Sequence, residues 1–185
     1  EDDVEITSDA YFAKLLDRLR HPQKLETAQI PQDIHATLRP YQSVGFAWLA
    51  RMAELGFGAC LADDMGLGKT LQVITFLAQM RQRNPQARAL LVVPASLIGN
   101  WEKEVSRFAP DISLCILHGM TSAKLAAVLE ASGEFLTITT YGMASRLTQL
   151  RERTWDCLVL DEAQAIKNPG AQQSKAVKKI PARQR

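Results

Sequence analysis

The sequence predicts an α/β chain in which a parallel sheet is covered by helices on both faces. Three observations carry that expectation. Apolar runs at residues 57 to 62, 89 to 93, 112 to 117, 135 to 139 and 157 to 160 are short and continuous, as strands buried on both faces are. Amphipathic stretches at 69 to 82, 96 to 108, 121 to 131 and 142 to 150 lie between them, and repeated βα units pack as a parallel sheet. The segment Asp63-Asp64-Met65-Gly66-Leu67-Gly68-Lys69-Thr70 sits where the first apolar run gives way to helical spacing through Leu71, Ile74, Leu77 and Ala78.

Ahead of the sheet, Ser8-Asp9 can cap a helix whose apolar face is Tyr11, Phe12, Leu15, Leu16 and Leu19 and which ends near His21-Pro22. Residues 22 to 37 are polar and hold Pro22 and Pro31, the pattern of a linker. The expected boundary is therefore close to Ala36: residues 1–36 form a short N-terminal helical extension, or the end of a preceding domain, and 37–185 the main domain. Pro40 suits the first turn of a helix that carries Val44, Trp48, Leu49 and Met52.

The 185 residues are enough for one domain with a sizeable core. Apolar residues make up 46% and charged ones 23%, near the average of globular chains, and no apolar run reaches the length of a membrane span. The acidic start lacks the basic and apolar regions of a signal peptide, and Glu1 in place of Met predicts an excised fragment. Cys60, Cys115 and Cys157 are widely spaced and lie in or beside apolar runs, so buried reduced thiols are expected. The net charge of +2 announces no nucleic-acid partner. Distribution says more: after Glu162 come Lys167, Lys175, Lys178, Lys179, Arg183 and Arg185 with no acidic residue, which is either a phosphate-facing patch or a solvated helix face.

The chemistry of a Mg-nucleotide site needs these residues in this arrangement. Gly66 and Gly68 let backbone N–H groups approach phosphates at a helix N-terminus, Lys69 reaches the β and γ oxygens, and the Thr70 hydroxyl can face Mg2+. Asp63 stands where the full GxxxxGK[ST] pattern has its first glycine, so the pattern is incomplete. Asp161 follows the apolar run Leu158-Val159-Leu160 and can hold Mg2+, while Glu162 can polarise the attacking water. Both motifs fall at the C-terminal ends of strands, where such sheets gather ligands.

These motifs resemble the first RecA-like lobe of the SWI/SNF family of DNA-dependent ATPases, within helicase superfamily two, from Leu38 to Asn168. Leu38-Arg39-Pro40-Tyr41-Gln42 with Gly45 and Trp48-Leu49 resembles the adenine-recognition segment, and the Asp63 to Thr70 segment is similar to the family's form of motif I. Leu91-Val92-Val93-Pro94, Ser96-Leu97 and Trp101 resemble motif Ia and its extension, Ile138-Thr139-Thr140-Tyr141 motif Ib, and Asp161-Glu162-Ala163-Gln164 with Ala165-Ile166-Lys167-Asn168 motif II. Spelling and compact spacing are similar to bacterial members.

The resemblance implies ATP and Mg2+ as cofactors. It implies a nucleotide site of Arg39, Gln42, Asp64, Met65, Gly66, Leu67, Gly68, Lys69 and Thr70, with Gln42 reading adenine; taken without the family, Gln42 is an exposed helix residue. Lys69, Asp161 and Glu162 become the catalytic residues, and Thr70 and Asp161 the metal ligands. Pro94, Ser96, Thr139 and Thr140 become contacts to the nucleic-acid backbone, against the alternative of ordinary turn and cap roles, and Trp101 is expected in the core. Implied partners are double-stranded DNA, the second RecA-like lobe of the same polypeptide and no membrane. A bacterial member would work in the cytoplasm at the nucleoid, among nucleoid proteins or RNA polymerase; a eukaryotic one would meet nucleosomes in the nucleus.

Two residues depart from the family pattern: Gln164 replaces a common His, and Gly142 a common acid. The sequence stops at Ile180-Pro181-Ala182-Arg183-Gln184-Arg185, where the family continues into motif III, so a lobe without its partner's arginine finger is expected. Loss of such a finger costs about 10³–10⁵ in rate, which predicts weak binding and poor turnover by the fragment. The implied function is the ATP-binding lobe of a duplex-DNA translocase that remodels protein–DNA complexes. A strand-separating helicase and a nucleotide-dependent scaffold with little turnover are the alternatives.

Overall fold

The computed structural model describes residues 28–61, 68–166 and 172–185. Among these described residues five parallel strands, β1 (Ala89–Val93), β2 (Leu114–Leu117), β3 (Leu136–Thr140), β4 (Trp155–Leu160) and β5 (Ala182–Gln184), form one sheet in the order β2-β3-β1-β4-β5. The helices are α1 (Pro40–Glu54), α2 (Lys69–Arg83), α3 (Ile98–Phe108), α4 (Ser122–Ala131), α5 (Tyr141–Arg146), α6 (Gln149–Glu152) and α7 (Gln172–Lys178). No helix among the described residues is long and apolar enough to cross a membrane.

The continuous apolar runs are explained by two cores, one on each face of the sheet. Leu91 and Val93 of β1 join Phe46 of α1, Ile74 and Leu77 of α2, and Trp101 and Val105 of α3. Their neighbours Leu90 and Val92 point the other way, into a cluster with Leu125 and Leu129 of α4, Tyr141 and Ala144 of α5, and Val177 of α7. A strand with a core on each side cannot afford polar alternation, and β1 is buried at all five positions.

Several expected boundaries shift for local reasons. The run at 57 to 62 forms no strand over its described part: Ala59 N–H donates to Arg185 O at 2.8 Å, and β5 beside it has only three residues to offer as a template. The fifth strand is instead Ala182–Gln184, which lacks an apolar run and carries no strand signal. The stretch 142 to 150 divides into α5 and α6 because Leu147 turns extended (φ −84°, ψ 99°) to bury its side chain. Helix α5 starts one residue early, where the Thr140 hydroxyl accepts from Met143 N–H at 3.2 Å, and Gly142 does not prevent that start. A 3₁₀ turn, Ala95–Leu97, precedes α3.

The expected N-terminal helix lies outside the described residues. From Ala28 onward the expected linker has no helix or strand but is packed: Ile34 and Leu38 are buried in the first core, and Ala28 and Ala36 lie against it. Asp33 receives Arg81 at 3.1 Å and Gln82 at 2.7 Å, and His35 N–H donates to Phe108 O at 2.8 Å. The chain on both sides of Ala36 is thus packed against the first core.

Candidate functional site

In the sheet register, Thr140 of β3 lies level with Val93 of β1, and Asp161 follows directly on β4, its N–H donating to Val92 O at 3.0 Å. Parallel pairing thus brings the ends of three strands to one edge. Helix α2 begins at Lys69, with Lys69 and Thr70 half-buried in its first turn. Gly68 precedes it in the left-handed region (φ 73°, ψ 39°), a conformation that costs other L-residues about 1–2 kcal/mol. Asp63, Asp64, Met65, Gly66 and Leu67 lie outside the described residues.

Gln42 is buried rather than exposed, at 6% of its free surface. Its Oε1 accepts from Arg39 N–H at 2.9 Å, and its Nε2 lies where a Cβ on residue 68 would have to go. Gly45, one turn along α1, is similarly covered by the Gln72 side chain of α2. These two close approaches seat α1 on the helix that carries Lys69. Beside them opens a cleft of about 440 Å³ bounded by Arg39, Tyr41 and Gln42, by Gly68, and by Arg107 and Phe108 at the end of α3. That volume suits a small-molecule ligand. Tyr41 is 40% exposed, and the Arg107 guanidinium lies 4.9 Å from the centre of the Phe108 ring, so flat faces and cations border the opening.

Asp161 is held on several sides. Oδ2 accepts from the Trp101 indole N–H at 2.8 Å, Oδ1 accepts from Glu162 N–H at 2.9 Å, and its carbonyl oxygen accepts from the Tyr141 hydroxyl at 2.7 Å. Burial, then the charges of Asp161 and Glu162, push the Tyr141 phenol well above its ordinary range, so it remains a donor. Glu162 takes a left-handed backbone (φ 51°), strain of about 1–3 kcal/mol of the kind that collects at functional sites. Gln164 Nε2 donates to Glu162 Oε2, so the amide that replaces the common His holds the adjacent carboxylate.

Sequence reasoning expected Trp101 in the core, and its indole is there, but the ring nitrogen also reaches a carboxylate 60 residues away. No local signal marks that pairing, nor the Tyr141 bond to Asp161. The four expected backbone contacts divide. Pro94 and exposed Ser96 lie at the open end of β1. Thr139 has no exposed surface and its hydroxyl donates to Leu117 O at 3.1 Å, bracing β3 against β2. Thr140 is 7% exposed, with its hydroxyl occupied as the cap of α5.

The profile of the SNF2-related domain matches residues 41–185. The protein YwqA of Bacillus subtilis (strain 168), named for ATP-dependent helicase/translocase activity, is 39% identical over 171 residues, which are 90% of this chain and 18% of YwqA. The TATA-binding protein-associated factor MOT1 of Saccharomyces cerevisiae is 34% identical over 183 residues, 92% of this chain and 10% of MOT1. Among solved structures, the Sulfolobus solfataricus SWI2/SNF2 ATPase core in complex with dsDNA superposes with a TM-score of 0.77 at 42% identity, over 86% of this chain and 33% of that one. The sheet flanked by helices is therefore the RecA-like fold of that core, and the chain spans a minor part of each relative's length.

Proposed function

The chain belongs to the family of SNF2-related domains, and from that premise we propose that it is the ATP-binding lobe of a double-stranded-DNA translocase that remodels protein–DNA complexes. The observation that carries the reading is the strand-end pair Asp161-Glu162, fixed by Trp101, Tyr141 and Gln164 on the edge that Pro94 and Ser96 share.

The residues present fit ATP and Mg2+. Gly68 lets the Gln42 amide pack against the start of α2, and the half-buried Asp161 carboxylate with a threonine hydroxyl matches the way Mg2+ is held by one or two protein oxygens plus phosphates. Bound Mg-ATP would supply the phosphoryl group and the charge neutralisation that transfer to water requires. Lys69 and the start of α2 bind and orient the phosphates, Thr70 and Asp161 hold the metal, and Gln42, Arg39 and Tyr41 border the base. Glu162 takes a proton from the attacking water, with Gln164 keeping its carboxylate aimed. The second RecA-like lobe would close the cleft and add the arginine, so the lobe alone is expected to bind weakly and turn over little.

A DNA path has further support. Arg151, Lys175 and Lys179, with Ser145 and Gln172, line a groove of about 460 Å³ that holds no acidic residue among the described residues. Cations so placed suit phosphates without reading sequence.

The test is ATPase activity of the two-lobed parent with duplex DNA, single-stranded DNA, RNA or no nucleic acid. Duplex stimulation abolished by Glu162→Gln is expected. Stimulation by single strands alone would favour strand separation, and unchanged ATP binding by Lys69→Ala would favour a scaffold. Activity intact in Glu162→Gln would refute the reading.

A further inference from the structure

We propose that Trp101 is a positioning residue for metal binding: its indole N–H, 2.8 Å from Asp161 Oδ2, selects the carboxylate orientation that accepts Mg2+. The inference rests on Asp161 being the metal-holding acid.

A carboxylate has about four lone-pair directions. In Asp161 one is taken by Trp101 on Oδ2 and one by Glu162 N–H on Oδ1, so each oxygen keeps capacity for a further partner. The Trp101 donor cannot wander. Its ring is 3% exposed, packed in the first core with Ile98 and Val105 one turn to either side on α3, and an indole has a single N–H in a fixed direction. The acid is held as firmly from below, through Asp161 N–H to Val92 O and Tyr141 hydroxyl to Asp161 O. With the main chain pinned, the remaining freedom of Asp161 is rotation of its carboxyl group, which Trp101 on Oδ2 and the Glu162 N–H on Oδ1 restrain together, Trp101 being the side chain of the two. A partner that orients a ligating carboxylate in this way is worth about 10–100-fold in metal affinity.

The experiment measures binding of a fluorescent ATP analogue to the full chain, in Mg2+ and in EDTA, for the parent, Trp101→Phe and Asp161→Asn. Trp101→Phe keeps an aromatic ring in the core and removes the N–H together with part of the ring volume, so the comparison of Mg2+ with EDTA separates the two losses. We expect its affinity in Mg2+ to fall about 10-fold or more towards the EDTA value, with the EDTA value within about twofold of the parent. Retention of the full Mg2+ increment by Trp101→Phe, when Asp161→Asn has lost it, overturns the role of Trp101. Retention by Asp161→Asn shows instead that the acid is not the metal holder. Equal losses in Mg2+ and EDTA mean a packing role and also overturn the proposal. Should Trp101→Phe not fold, the unaltered chain decides: the Trp101 indole N–H resonance must shift when Mg2+ is added to the nucleotide-bound protein, and a stationary resonance refutes the inference.

Discussion

The side-chain amide of Gln42 lies against Gly68, so closely that a Cβ at position 68 would displace its Nε2. Adenine-side and phosphate-side residues of the proposed site are thus one packed unit. Gly68→Ala adds a left-handed alanine, costing about 1–2 kcal/mol, and pushes Gln42 aside. The expected result is at least a tenfold loss of ATP affinity by titration and a lowered midpoint of thermal unfolding. Parent-like binding would show that the contact has no part in the site.

The bond from Gln164 to Glu162 makes a second prediction. In the two-lobed parent, Gln164→Ala should lower duplex-stimulated kcat about tenfold with little change in KM for ATP, because the amide aims a carboxylate without holding substrate. Gln164→His should add a titration near pH 6–7 to the kcat profile. A pH–rate series from 5.5 to 8 reads both effects.

The basic groove of Arg151, Lys175 and Lys179 can be separated from the nucleotide cleft by salt dependence. Lys175→Ala with Lys179→Ala should weaken duplex binding and reduce the slope of log K against log salt by about one per lysine. Affinity for ATP in the absence of DNA should not move. An unchanged slope would return these lysines to the solvated surface.

Alkaline stability is expected to depend on Cys157. Burial, then the charge of Asp156, push its thiol from 9.0 up to about 12. A thiol whose value is raised on folding stabilises the fold fully below its unfolded value and loses that contribution as pH climbs. The unfolding midpoint should therefore hold steady up to about pH 9 from this group and fall between 9 and 12. Cys157→Ala should start lower, because a buried side chain is trimmed, and decline less steeply over the same interval. Equal slopes would remove Cys157 as the cause.

Local sequence carried the elements whose signal is periodic. Strand β1 falls at the expected residues because a five-residue apolar run between two cores leaves no other register. Helix α2 extends one residue past expectation, to Arg83. Strand β5 escaped notice because Ala-Arg-Gln has no apolar pattern; pairing with β4, Trp155 to Ala182 and Cys157 to Gln184, makes it a strand. The hydroxyl partner of Thr139 was not legible either. A threonine at a strand end reads the same whether its hydroxyl meets solvent or, as here, the carbonyl of the next strand.

By itself the sequence determined the fold class, the family resemblance and the types of group at the candidate site, because periodicity and short motifs are properties of neighbours along the chain. Tertiary structure decided which groups meet. Trp101 is attached to Asp161, Gln42 to Gly68 and Tyr141 to the Asp161 carbonyl, across separations of 60, 26 and 20 residues. Contacts at such distances follow from strand order and helix packing, which bring the ends of β3, β1 and β4 level and set α1 and α3 beside them. No pattern within any one segment encodes that meeting; it is a property of the assembled sheet edge.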